Sequence, residues 1–212
     1  MNKGQDYLLI VEDDRDISRL LDAALTFRGY RVIVAHNGQE ALEVIQIKRP
    51  AIVITDIMMP KLDGFGLVHR LRIHPETCDI PVVFITATYV AAEDREFALN
   101  IGATRFIQKP VDVEKFVGIV ADVLKQEAPP VIEPLKELQF FEGYRRRLEI
   151  KLEQKNKQIA REERLLGTHS KTEDQHLQAS LRLAKRERDE LGFLLEQVHE
   201  QLKNISSKKT EN

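Results

Sequence analysis

The first 125 residues are constrained most by an alternation of two kinds of segment. Apolar runs of strand length take turns with longer stretches whose apolar residues recur at helical spacing. Tyr7-Leu8-Leu9-Ile10-Val11 opens the series, and a helical stretch follows with Ile17, Leu20, Leu21, Ala24, Leu25 and Phe27 on its apolar side, stopped by Gly29. Arg31 to Ala35 is a second strand, and Asn37-Gly38 opens a helix through Ala41, Leu42, Val44 and Ile45 that ends before Pro50. The third strand is 51–55 and the third helix 64–73. Pro81 to Ile85 and Thr104 to Ile107 are the fourth and fifth strands, followed by helices over 91–101 and 111–125. Nearly continuous apolar strands separated by helices predict a parallel sheet covered on both faces. That is the doubly wound α/β class, in which function is expected at the C-terminal ends of the strands.

Those ends carry an unusual set of side chains. Glu12, Asp13 and Asp14 follow the first strand, Asp56 the third, Thr86 and Ala87 the fourth, and Lys109-Pro110 the fifth. Asp56 starts the stretch Asp56-Ile57-Met58-Met59-Pro60-Lys61-Leu62-Asp63-Gly64, whose Pro60 and Gly64 fix a loop over the strand end. Carboxylates converging on one sheet edge repel each other unless a cation joins them. A hard divalent ion with oxygen ligands, Mg²⁺ above all, resolves that conflict. Thr86 offers a hydroxyl donor, and Lys109 a compact cation for carboxylate or phosphate oxygens. Together these groups suit phosphoryl transfer, where positioning and charge neutralisation do most of the catalysis. Asp56 is the expected phosphoacceptor. Neither GxxxxGK[ST] nor GxGxxG occurs, so a nucleotide is not the expected phosphate source. Taken singly each residue has an ordinary reading: Asp13 or Asp14 as a helix cap, Thr86 as a turn residue, Lys109 as a surface charge.

Residues 5–125 resemble the receiver domain of two-component response regulators. The resemblance rests on Val11-Glu12-Asp13-Asp14, on Asp56 through Gly64, on Thr86-Ala87 and on Lys109-Pro110. It implies a flavodoxin-like fold with strand order 2-1-3-4-5, and transfer of a phosphoryl group to Asp56 from the phosphohistidine of a histidine kinase or phosphotransfer protein. It further implies Mg²⁺ held by Asp13 or Asp14, by Asp56 and by the backbone carbonyl of Met58, with Asp14 as the direct ligand and Asp13 acting partly through water. Lys109 would contact the phosphoryl group, a cis peptide would precede Pro110, and Met58 and Thr88 would line the approach. Thr86 and Phe106 would form the switch: Thr86 moves toward the phosphoryl group and Phe106 turns inward. Such a protein is a phosphoacceptor with Mg²⁺-dependent self-phosphorylation and dephosphorylation, rather than an enzyme acting on a separate substrate.

The rest of the chain has a different composition. Ala128-Pro129-Pro130-Val131-Ile132-Glu133-Pro134 cannot continue a helix, so 127–134 reads as a linker after a domain at 1–126. Beyond it, Leu138, Phe141, Arg145, Leu148, Leu152, Lys155, Ile159, Glu162 and Leu166 are spaced alternately three and four apart. Leu177, Leu181, Ala184, Arg188, Leu191, Leu195, Val198, Leu202 and Ile205 repeat the pattern, which predicts two coiled-coil helices over 135–166 and 171–205. Gly167 suits a helix C-terminus, and Ser170-Lys171-Thr172-Glu173 reads as a capping box. An antiparallel hairpin turning at 167–170 is therefore expected, with a single long helix of about 100 Å as the alternative. In the hairpin, residues whose numbers sum to about 337 would face each other. Phe140, Phe141 and Tyr144 would lie near Leu191, Phe193, Leu194 and Leu195, an apolar surplus that predicts a second protomer on this module. Residues 206–212 read as a disordered tail.

Charge and composition narrow the function. Residues 1–125 carry 15 Lys+Arg against 18 Asp+Glu, and 126–212 carry 17 against 16, so neither half has the basic excess of a DNA-binding module. Output through a protein partner, with a homodimer formed by the helices, is the expectation; a DNA-binding transcriptional regulator and an adaptor controlling a kinase or phosphatase are the alternatives. Cys78 is the only cysteine, which excludes a disulfide framework. No apolar run approaches 18 residues and the first residues lack an apolar signal core, so a cytoplasmic protein without membrane spans is expected. His36, His69 and His74 lack metal-ligand spacing and read as surface residues.

Overall fold

The structure is a computed structural model, which describes residues 7–87, 91–126, 135–166 and 171–210, with the side chains of 171–173 and 208–210 left out. Thr88, the linker 127–134, the turn 167–170 with Ser170 of the capping box, and residues 211–212 lie outside the described residues. The chain divides into two compact units, Met1–Leu135 and Lys136–Asn212.

In the first unit β1 (Tyr7–Val11), β2 (Arg31–Ala35), β3 (Ile52–Thr55), β4 (Val82–Thr86) and β5 (Arg105–Gln108) alternate with α1 (Arg15–Phe27), α2 (Gly38–Ile47), α3 (Gly64–Ile73), α4 (Ala92–Asn100) and α5 (Val113–Lys125). The strands form one parallel sheet in the order β2-β1-β3-β4-β5, as expected. Strand alternation sorts the apolar side chains onto its two faces. Leu8, Ile10, Ile52, Ile54, Val83 and Ile85 pack against Leu21 and Leu25 of α1 and against Phe116, Val117, Val120 and Val123 of α5. Phe84 points to the opposite face, where its ring meets Phe65 of α3 edge-on at 5.4 Å, and Phe65 meets Phe97 of α4 at 5.2 Å. Each fully buried large side chain contributes on the order of 1.5–3 kcal/mol.

Local chemistry ends the elements where the sequence suggests. Gly29, with φ +85°, follows the last turn of α1, a backbone conformation that costs other residues strain. Asn37 caps α2 and Asp112 caps α5 through their side-chain oxygens. Two residues placed on the apolar side of α1 by periodicity are exposed: Leu20 is half exposed beside the buried stripe of Ser18, Leu21 and Leu25, and Phe27, the last residue of the helix, is largely exposed. His69 corrects a second expectation. It is buried, because α3 is covered on nearly every side and hides His69 and Arg72 with its leucines.

In the second unit α6 (Glu137–Leu165) and α7 (Lys171–Thr210) pack against each other as a hairpin, not as one long helix. Helix α7 continues five residues past the expected end at 205. The seam departs from the predicted heptad frame at three positions: Phe140, Tyr144 and Lys151 are buried where Phe141, Arg145 and Leu152 were expected and lie on its flank, while Leu148 and Ile159 are buried as expected. Both phases of α6 contain apolar residues, and packing chooses the one that meets Leu181, Ala184, Leu191, Leu194 and Val198 of α7. The pairing is also shifted. Lys155 meets Glu187 at 2.5 Å, Lys185 meets Glu163 at 2.7 Å and Glu162 accepts from Ser180 at 3.1 Å, pairs that sum to 342–348 rather than about 337. Contact of Ile159 with Leu181 and Ala184 sets this register, rather than the midpoint of the turn. Phe193, part of the expected apolar surplus, is 54% exposed.

Candidate functional site

The C-terminal ends of β1, β3, β4 and β5 place the site. Asp56 directly follows β3, and its N–H donates to Val11 O at 2.9 Å, which locks it beside the end of β1. Its Oδ1 accepts from the N–H of Ile57 at 2.5 Å and, more weakly, from that of Met58 at 3.4 Å. Its Oδ2 meets Lys109 Nζ at 2.5 Å. The same ammonium reaches Glu12 Oε2 at 2.9 Å, so one lysine bridges two carboxylates from different strand ends. A cis Lys109-Pro110 bond follows, and Lys109 N donates to Thr86 O at 3.0 Å.

The loop after Asp56 holds this arrangement from behind. Asp63 caps α3 by accepting from the Gly66 N–H at 2.8 Å, and Gly64 N donates to Ile57 O at 2.8 Å. A Cβ on Gly64 would run into the carbonyl oxygen of Asp56 and come within 2.9 Å of Ile57 Cα, so only glycine lets the loop close so near the carboxylate. Lys61 takes the left-handed φ of 67° at the loop's tip. Gly38 N then donates to Leu62 O at 2.8 Å, which ties the loop to the start of α2.

Electrostatics follow from burial. Glu12 is 1% exposed and Asp56 8% exposed. Loss of solvent, followed by the neighbouring Asp56 charge, pushes Glu12 up to about 7, although Lys109 works the other way. Burial acts to lower Lys109, but Asp56 and Glu12 outweigh it and hold the ammonium above its ordinary value. Oxygens of Glu12, Asp13 and Asp56 all lie within 4.8 Å of one another. Three hard oxygen donors gathered beside Lys109 fit a divalent ion such as Mg²⁺, because such an ion would relieve the repulsion among the carboxylates that adds to the effect of burial on Glu12.

Asp14 does not belong to this group, and the expectation that it is the direct metal ligand is corrected. Its Oδ1 accepts from the N–H groups of Asp16 at 2.8 Å and Ile17 at 3.1 Å, capping α1. Those bonds hold its carboxyl below the ordinary carboxylate range. The acidic pair is Glu12-Asp13, and Glu12 is a site residue that the sequence reading placed at the strand end without assigning it a role. The available signal was position: the first two carboxylates past the strand face the site, and the third begins the helix.

Thr86 closes β4 and is fully buried. Phe106 sits in β5 opposite Phe84, with ring centroids 6.4 Å apart, and is half-buried. His36 hydrogen-bonds the Glu12 carbonyl through Nδ1 at 3.2 Å, a supporting contact that its spacing did not announce.

A parallel five-stranded sheet with an aspartate, an acidic pair and a lysine at its C-terminal edge defines a receiver domain. Residues 8–121 match the response regulator receiver domain family, and the chain belongs to it. Among curated relatives, "Probable transcriptional regulator ycf27" of Pyropia yezoensis is 37% identical over 126 residues, covering 59% of this chain and 50% of that protein. Response regulator MprA of Mycobacterium avium (strain 104) is 35% identical over 122 residues, 58% of this chain and 52% of that one. The chain thus spans about half the length of the curated relatives it matches. Among solved structures, the non-phosphorylated HemR receiver domain from Leptospira biflexa is 28% identical, with a TM-score of 0.54 over 59% of this chain and 98% of that one. The chemotaxis response regulator CheY4 of Vibrio cholerae is 29% identical, with a TM-score of 0.53 over 56% and 98%. These matches concern the first unit. No helix among the described residues is long and apolar enough to cross a membrane.

Proposed function

We propose that the protein is a phosphorylation switch in which Asp56 accepts a phosphoryl group from the phosphohistidine of a histidine kinase or phosphotransfer protein. The observation that carries this reading is Lys109 Nζ bridging Asp56 Oδ2 and Glu12 Oε2 beside Asp13. In the transfer the phosphorus–nitrogen bond of the donor breaks and a phosphorus–oxygen bond to the Asp56 carboxylate forms. Asp13, Asp56 and Glu12, together with the Met58 carbonyl, would hold Mg²⁺, which would neutralise charge on the transferring group. Lys109 is placed to stay with the new phosphoryl oxygens, and the backbone N–H groups of Ile57 and Met58 orient the carboxylate. The product adds roughly −1.5 to −2 charges at the sheet edge. Thr86 donates to it, and Phe106 turns inward behind Thr86, repacking the surface of α4, β5 and α5. Chemistry on any other substrate is not part of this reading.

Output runs through protein contacts of the α6–α7 hairpin, which works as a homodimer. Exposed Leu183 and Phe193 on α7 and Ile150 on α6 support this by leaving apolar side chains outside the seam. Transcription enters through the names of the relatives, but what this chain shares with them is the receiver. Residues 126–212 carry only one net positive charge, which favours a protein partner over DNA. Labelled acetyl phosphate tests the acceptor: wild type takes up label and Asp56→Asn does not. Light scattering tests the output: the full chain measures as a dimer, and a monomer at every concentration, with and without beryllofluoride, refutes that part.

A further inference from the structure

Phe106 is not held by the receiver core alone. The guanidinium carbon of Arg95, in the first turns of α4, lies 5.8 Å from the centroid of the Phe106 ring. Phe84, from the neighbouring strand, meets the same ring edge-on at 6.4 Å. Phe84 is completely buried, whereas Arg95 is exposed. The half-buried ring therefore has a fixed aromatic neighbour toward the core and a movable cation toward solvent. Attraction between a guanidinium and an aromatic face requires the two to stay within about 6 Å. A ring that turns inward leaves that range unless α4 follows it.

We infer that Arg95 is a positioning residue for the switch, whose cation holds the Phe106 ring in its outer place and so biases the unphosphorylated receiver toward the inactive state. The inference rests on the phosphoacceptor reading of Asp56 and deepens it by naming a residue that sets the threshold of the response. A ligand that favours the inward state must work against the Arg95 contact, so removing the contact enlarges the competent fraction and tightens apparent binding in proportion. An exposed cation–π contact corresponds to a shift of about two- to fivefold. The effect belongs to the cation–ring pair and not to charge in general. Arg105 is a further exposed arginine at this sheet edge, and its Nη1 donates to Thr104 O at 2.9 Å, so it serves as the charge control.

The experiment is a titration of the full chain with beryllofluoride and Mg²⁺, followed by the amide NMR signals of Thr86 and Phe106. Arg95→Gln is expected to lower the midpoint about two- to fivefold, and Arg95→Lys to stay near wild type. In a Phe106→Leu background, which has no ring face to hold, Arg95→Gln should change nothing. An unchanged midpoint in Arg95→Gln overturns the inference. An equal shift from Arg105→Gln, or a shift that persists in Phe106→Leu, overturns it too. A flat response in the wild type, matching that of Asp56→Asn, refutes the phosphoacceptor reading and this inference with it.

Discussion

Arg72 offers the sharpest stability test, because its partners are backbone atoms. The side chain is 5% exposed on α3. Its Nη2 donates to Gly102 O at 2.7 Å and to Ile80 O at 2.9 Å, and its Nε to Gly102 O at 3.2 Å. One arginine thus ties α3 to the entry of β4 and to the turn after α4. Hydrogen bonds from charged donors contribute about 1.5–3 kcal/mol each, and a buried carbonyl left without a donor costs about 1–3 kcal/mol. Removing the guanidinium also removes its own desolvation penalty, since burial holds its pKa below the usual arginine value. The net cost of Arg72→Ala is therefore about 3 kcal/mol. Gly102 makes the prediction stricter. It has φ +101°, and an added Cβ would press on Arg72 Nε and lie 2.9 Å from Arg72 Cδ. Gly102→Ala alone should cost more than the ~1–2 kcal/mol of backbone strain, whereas in an Arg72→Ala background only the strain remains. The two substitutions should therefore be non-additive by about 1 kcal/mol. The chain has no tryptophan, so hydrogen exchange of the β4 amides is the natural probe, and Arg72→Ala should speed it roughly a hundredfold. A change below about fivefold, or additivity within about 0.3 kcal/mol, would refute the reasoning.

Two further outcomes follow from burial. His69 is pushed down to about 4 by loss of solvent and by Arg70, so it is neutral when folded, whereas the unfolded chain takes up a proton near pH 6.5. Its contribution is complete above about pH 6.5 and is lost as pH falls toward 4, a change of about 2–3 kcal/mol. Asp63, raised to about 7 by burial, works in the opposite direction over the same range, because the folded state binds its proton first. Between pH 7 and pH 4.5, His69→Gln should therefore lose less stability on acidification, or gain more, than wild type does, as read from urea midpoints, and an identical pH slope would count against a buried neutral His69. In the hairpin, Leu148 is completely buried, so Leu148→Ala should cost about 2–5 kcal/mol and strip exchange protection from α6 and α7 while leaving the sheet amides unchanged.

The central strands β1, β3 and β4 were legible because strands buried on both faces show as unbroken apolar runs, and the edge strands β2 and β5 because shorter apolar stretches follow helices at the same spacing. Asp56, Thr86 and Lys109 were legible for the same reason: they are polar residues that end such runs. The run Glu12-Asp13-Asp14 was misread because composition does not say where a strand stops and a helix cap begins. Only the bonds from Asp16 and Ile17 to Asp14 decide it. His69 was hidden because a helix buried all round offers no polar face from which to infer exposure. In α6, Phe140 and Tyr144 compete with Leu138, Phe141 and Leu152 for the apolar stripe around Leu148, and the choice depends on α7, which lies further along the chain.

The most direct measurement of the central claim is mass spectrometry of the full chain after reaction with phosphoramidate and Mg²⁺, with peptide mapping of the product. The account predicts one added phosphoryl group on the peptide that contains Asp56, absent from Asp56→Asn and from reactions with EDTA. A phosphoryl group that maps elsewhere, or that persists in Asp56→Asn, would contradict it.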